Sequence, residues 1–98
     1  QTLMPYTTFT DQDTTPSIKA GNTFLVNNSI ATNVTRFDDV TNGQFIFLIF
    51  ANANTTIKYS DGGALIKGNA GADWTAPTNS MAIGVGVSGG MVYLLKGT

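Results

Sequence analysis

The tightest constraint on this chain is residues 43–50, GQFIFLIF, its most apolar run. Laid out as a strand, it points Phe45, Phe47 and Ile49 to one side and Ile46, Leu48 and Phe50 to the other. Both sides then call for burial. The run is too short for a membrane span, which takes about 20 apolar residues, and shorter than an ordinary helix between breakers. Its aromatic and β-branched content also favours a strand. A central strand covered on both faces is expected, and something must do the covering.

A chain of 98 residues makes one domain, residues 1–98, with residues 1–10 expected as a linker from an upstream domain. At this size only about 60–70 % of the unfolded surface is buried on folding, so the core is modest. With no cysteine, neither a disulfide framework nor thiolate zinc adds stability; partner subunits are the remaining source. With no histidine, the commonest general base and metal ligand are missing.

Only 11 % of residues are charged, the net charge is -1, and there is no glutamate. Lys19, Arg36, Lys58, Lys67 and Lys96 are scattered, which is not the clustered basic footprint a nucleic-acid binder needs. Thr, Asn, Ser and Gly replace the missing charge, a composition suited to extracellular or virion β-structure and to contact with sugar hydroxyls. The first residues lack the basic leader and apolar core of a signal peptide, and the absence of an initiating Met suggests an excised piece.

In chain order, DQDTTP at 11–16 is a turn, because Asp and Thr bond their own backbone and Pro16 extends Thr15. A short extended stretch around Ile18 ends in Ala20-Gly21-Asn22, and residues 23–26 form a short strand with Phe24 and Val26 on one face. Residues 32–37 fit a partly exposed strand, and Asn42-Gly43 delivers the chain into the central one. After the return at Asn52-Ala53-Asn54, residues 55–60 alternate cleanly and are expected to form a hairpin with the central strand. Asp61-Gly62-Gly63 turns the chain, 64–67 is a short strand, and a small-residue loop carries Trp74 and Pro77. No stretch has the period of an amphipathic helix.

The last hairpin is the most specific piece of geometry. If Gly89-Gly90 is a two-residue turn, Ser88 faces Met91, Val87 faces Val92 and Gly86 faces Tyr93. Met81, Ile83, Val85 and Val87 then share an apolar face, and Ala82, Gly84, Gly86 and Ser88 a small one that suits close packing. Short strands with turns every 8–12 residues or so imply an all-β fold, a small antiparallel β-sandwich or jelly-roll.

Few motifs carry chemistry. Residues 84–89, GVGVSG, match the dinucleotide fingerprint in letters, but a hairpin follows where a helix N-terminus must hold pyrophosphate. Asp11 with Asp13 and Asp38 with Asp39 lack the roughly six oxygen ligands of a hard cation and suit turns better. No catalytic residue, cofactor or metal is expected. Sugar binding uses exposed aromatics beside amides and carboxylates; the candidates are Tyr59, Asn69, Asp73, Trp74, Asn79 and Tyr93, with Tyr6 as a further aromatic. Each aromatic alone is more often packed, and a lone Trp beside a Pro is more often a core plug.

The order Asp13-Thr14-Thr15-Pro16-Ser17-Ile18, Gly21-Asn22-Thr23-Phe24, Gly43-Gln44 before the apolar strand, Asn54-Thr55-Thr56-Ile57, residues 65–68, Asp73-Trp74-Thr75 and a Gly-Gly hairpin covers nearly the whole chain. It resembles the small C-terminal β-domain of bacteriophage tailspikes and tail fibres, of the kind appended to right-handed β-helix spikes. Where such domains commonly carry a Trp and an acidic residue in the last strand, this chain has Tyr93 and Leu94. The resemblance implies a homotrimer in the extracellular virion tail that holds three chains in register, attaches to the host and touches its surface polysaccharide. The hydrolase or lyase site of such spikes lies in their β-helix, so no enzyme activity is expected here; the scattered basic residues and the short apolar run likewise lead to no expectation of nucleic-acid binding or membrane insertion. The subunit-interface candidates are Phe45, Ile46, Phe47, Leu48, Ile49 and Phe50, or Gly84 and Gly86 on the small face. The alternative is a stand-alone carbohydrate-binding β-sandwich without an obligate trimer.

Overall fold

A computed structural model describes residues 6–19, 21–61, 63 and 65–97. The linker expected at 1–10 falls partly outside them, as do Ala20, Gly62 and Ala64 of the expected turns and strand. Nine strands follow in order: β1 (Tyr6–Thr8), β2 (Thr23–Val26), β3 (Thr32–Val34), β4 (Phe45–Phe50), β5 (Thr55–Ile57), β6 (Ile66–Lys67), β7 (Trp74–Thr75), β8 (Ser80–Val87) and β9 (Met91–Leu95). The only helical turn among the described residues is a 3-10 turn at Asn69–Gly71. The fold is all-β, as the turn-punctuated sequence implies.

The strands form a six-stranded sheet ordered β1-β2-β4-β8-β9-β6 and a three-stranded sheet ordered β3-β5-β7. Residues 43–50 do supply an interior strand, since β4 lies between β2 and β8. Pairing is mixed rather than antiparallel: β1-β2, β2-β4, β6-β9 and β3-β5 are parallel, while β4-β8, β8-β9 and β5-β7 are antiparallel. From β2 to β8 the chain changes sheet at every step. Each excursion through the other sheet supplies the long connection that a parallel pair requires.

The return after β4 shows how the chain is made to cross. Instead of a hairpin, Asn52 and Asn54 donate side-chain hydrogen bonds to the Asn28 carbonyl (2.9 and 2.8 Å), and the buried Asn28 amide donates to Thr55 Oγ1 at 2.8 Å. These bonds pull the corner toward residues 27–29 and deliver β5 to the second sheet, beside β3. The expected β4–β5 hairpin is therefore replaced by a sheet-to-sheet arch, because side-chain amides outcompete a local turn here.

The expected register of the last hairpin is off by one. Val87 pairs with Met91, Gly86 with Val92 and Gly84 with Leu94, so Ser88 joins Gly89 and Gly90 in the connection. Gly89 and Gly90 both take positive φ, 83° and 77°, which glycine adopts without steric cost. A one-residue slip exchanges the faces of a strand. Leu94 and Val92 consequently stand opposite the small residues Gly84 and Gly86, and a Cβ on Gly84 would meet Leu94 Cδ1 at 2.9 Å and Val92 Cγ1 at 3.1 Å. Gly86 is covered as closely, by Thr41 O and Val40 Cγ1, both 2.6 Å from where its Cβ would stand.

One core joins the inner face of the large sheet to the small sheet and its loops. Phe24, Ile46, Leu48, Phe50 and Leu94 come from the first, Val34 and Ile57 from the second, and Ile18 and Phe37 from connections. Phe9 stacks on Phe24 at 4.9 Å between ring centroids, and Trp74 meets Phe50 edge-on at 5.5 Å. The radius of gyration, 12.2 Å, is close to the roughly 12.6 Å of a compact domain this long.

Candidate functional site

Alternation along β4, β8 and β9 buries one residue set and leaves the other outside. The outer set is apolar almost throughout. The cross-strand register places Phe45, Val85, Tyr93 and Lys67 in one row, and Thr23, Phe47, Ile83 and Leu95 in a second that ends at Tyr6 on β1. Leu25, Ile49 and Met81 make a third. Phe45, Tyr93 and Leu95 are the most exposed of the residues on β4, β8 and β9 in these rows, at 61 %, 52 % and 73 %. Aromatic and branched side chains suit a pleated surface that is covered, yet nothing within the described chain covers this one.

This geometry sorts the subunit-interface candidates. Phe45, Phe47 and Ile49 stand on the outer face. Ile46, Leu48 and Phe50 are completely buried in the chain's own core, and Gly84 and Gly86 are closed by Leu94 and by Val40 with Thr41. These five have no surface to offer a neighbour. The sequence reasoning selected the small face of β8 for close packing; that packing occurs, but inside the chain. It passed over Leu25, Met81, Ile83 and Leu95. The period-2 pattern of β8 contained the signal, and the hairpin register hid which side was out.

The sugar-contact candidates are dispersed. Tyr59 is buried, with its hydroxyl donating to the Leu94 carbonyl at 2.8 Å, and burial pushes its pKa up to about 12. Its ring has no free face for a sugar. Trp74 is half-buried, packed against the core through Phe50. Asp73 accepts from Lys58 Nζ (2.7 Å) and from the Ser60 hydroxyl (2.7 Å) and amide (3.0 Å), which lowers its pKa to about 2. Asn69 and Asn79 both sit at positive φ, 48° and 63°, where asparagine is enriched for backbone reasons. Only Asn69 and Tyr93 come together.

They meet in an open groove of about 520 Å³ at the β8-β9-β6 end of the outer face. Phe45, Ile83, Val85, Tyr93 and Leu95 line it, together with Lys67, Asn69 and Lys96. A second hollow of about 540 Å³ lies beside β1, lined by Thr7, Thr8, Thr10 and Ser17 with Asp13 and Lys19. The loop aspartates are engaged in local contacts: Asp11 accepts from the Ser29 amide and hydroxyl, Asp13 from the Thr15 amide, Asp38 from Arg36 and Asp39 from the Ser17 hydroxyl. The Ser29 bonds lower the pKa of Asp11. No cluster of three or more metal-ligating side chains occurs among the described residues. Among them, too, no helix is long and apolar enough to cross a membrane.

Comparisons with protein-family models, with curated proteins and with solved structures gave no match.

Proposed function

We propose that this domain is an assembly module: copies of the chain associate through the outer face of the six-stranded sheet and so hold a larger attachment protein in register. The observation that carries the reading is the unbroken apolar surface from Leu25 through Phe47 and Ile83 to Leu95. Strands of two to eight residues, at about 3.3 Å per residue and about 4.8 Å apart, make a face of roughly 450 Å² in plan, within the roughly 300–600 Å² of the largest patches that single-chain proteins expose. Desolvating it is worth about 25 cal/mol for each Å² of apolar surface removed. That is a strong drive to associate.

In this reading the two sheets form a β-sandwich, three copies follow from the resemblance to phage tailspike and tail-fibre C-terminal domains, and the setting is the virion tail. The role is structural and adhesive, with any chemistry left to other parts of the protein. The scarcity of charge supports it, since a net charge of -1 on a 98-residue chain gives little long-range repulsion between copies. Sedimentation of the chain beside a Phe47→Asp/Ile49→Asp variant tests it. The expected result is a trimer that the double substitution converts to a folded monomer. A parent chain that sediments as a monomer at all concentrations overturns the reading.

A further inference from the structure

The groove at the β6 edge differs from the rest of the outer face in one respect, its charge. Of the five basic side chains, Arg36 and Lys58 are paired with Asp38 and Asp73. Lys19, Lys67 and Lys96 have no carboxylate within 4.0 Å among the described residues, and two of these three line the same groove. None of the six aspartates lines it. The hollow beside β1, by contrast, sets Lys19 together with Asp13. In a protein with more acids than bases, the charged side chains lining this groove among the described residues are thus all cationic.

The other lining groups narrow the chemistry. Tyr93, half-exposed, is the direct cross-strand partner of Lys67, and Phe45 lies two places along the same row. An aromatic face beside an ammonium suits a ligand that is a ring with an apolar side and an anionic substituent. Asn69 donates its amide to the Ala72 carbonyl, and among the described residues its Oδ1 has no donor, which suits a hydroxyl. Ring, hydroxyl and carboxylate together describe an acidic sugar. The volume falls within the roughly 300–1,000 Å³ of small-ligand clefts, and its openness suits a chain passing through rather than an enclosed acyl tail.

We infer that this groove binds an acidic saccharide, with the sugar ring stacked on Tyr93, its carboxylate between Lys67 and Lys96, and a hydroxyl on Asn69. The inference deepens the adhesive half of the proposed function, and uses the β8-β9-β6 end of the face while Leu25, Phe47, Ile49 and Met81 serve assembly.

The test is calorimetric titration of the chain with a panel of defined trisaccharides: oligogalacturonate, oligoglucuronate and sialyllactose, with maltotriose and decanoate as neutral and acyl controls. At least one acidic member is expected to bind at least tenfold more tightly than maltotriose. Lys67→Gln/Lys96→Gln should weaken it about tenfold, and Tyr93→Ala should weaken acidic and neutral sugars alike. Binding should also fall as salt is raised, because the contact is ionic. Equal affinity for maltotriose, binding of decanoate alone, or silence from all three acidic sugars would overturn the inference. Solution mass measured on the same lysine variant separates the two readings: it should match the parent, so lost sugar binding at unchanged mass concerns the groove only.

Discussion

Ile46, Leu48 and Phe50 on one face of β4 are fully buried, whereas Phe45, Phe47 and Ile49 on the other keep 61 %, 37 % and 41 % of their surface exposed. The two triplets are nearly identical in chemistry. What separates them is the second layer: β3, β5, β7 and the long connections pack against the inner face alone. With nine short strands and no helix beyond a single turn, the described chain has enough material to cover one side of its large sheet. Apolar sequence sets the demand for burial, and topology decides which half of that demand the chain meets by itself.

The sharpest way to break this contrast is to substitute across β4. Phe50→Ala should cost about 3–5 kcal/mol, a large share of the 5–15 kcal/mol that holds a typical domain together, and chemical denaturation should show a markedly lower midpoint. Phe47→Ser, three residues back on the opposite face, should leave the monomer's own stability within about 1 kcal/mol while lowering the associated mass. If both variants unfold alike, the two faces are energetically equivalent and the distinction fails.

The faces of β4 were legible in the sequence because a period of two needs only one strand to be right. The same holds for Phe24 with Val26 and for the Asn42-Gly43 entry, where Gly43 takes φ 81° and donates to the Gly86 carbonyl at 2.7 Å. The destination of β5 was not legible, because it depends on Asn28, 27 residues upstream of Thr55, and a long-range amide bond has no local period. The outer face of β8 and β9 was missed for a different reason. One extra residue in the turn, Ser88, exchanges the partners of every large side chain in the hairpin. Lys67 and Lys96 looked scattered in the sequence; only the β6-β9 pairing brings Lys67 beside Tyr93.

A second contrast concerns alkaline pH. Tyr59 closes the inner side, and its pKa is raised from 10 to about 12 by burial. The unfolded chain releases this proton first, so stability is complete below pH 10 and falls as pH rises from 10 to 12, by about 2–3 kcal/mol at the upper end. Tyr59→Phe should remove that alkaline limb while costing about 1 kcal/mol at neutral pH through the lost bond to Leu94.

Close approach separates the faces as well. Gly86→Ala sets a methyl group 2.6 Å from Thr41 O and Val40 Cγ1, an overpacking expected to cost about 1–3 kcal/mol in thermal or denaturant unfolding. Gly89→Ala, with open space around it and φ 83°, should cost less, through the backbone alone. The smallest effect lies in acid. The carboxyl of Asp73 is lowered to about 2 by Lys58 and Ser60, so its contribution is present above the unfolded value near 4 and is lost as pH falls toward 2. Asp73→Asn should flatten that part of the acid unfolding curve and leave association at neutral pH unchanged.

The most direct test of the uncovered face is the solution mass of the chain by light scattering over a wide dilution range. Association through Leu25, Phe47, Ile49 and Met81 requires a mass of three times 10.3 kDa that persists on dilution. A folded chain holding a mass of 10.3 kDa at every concentration would contradict it, since the outer face would then be stable in water on its own.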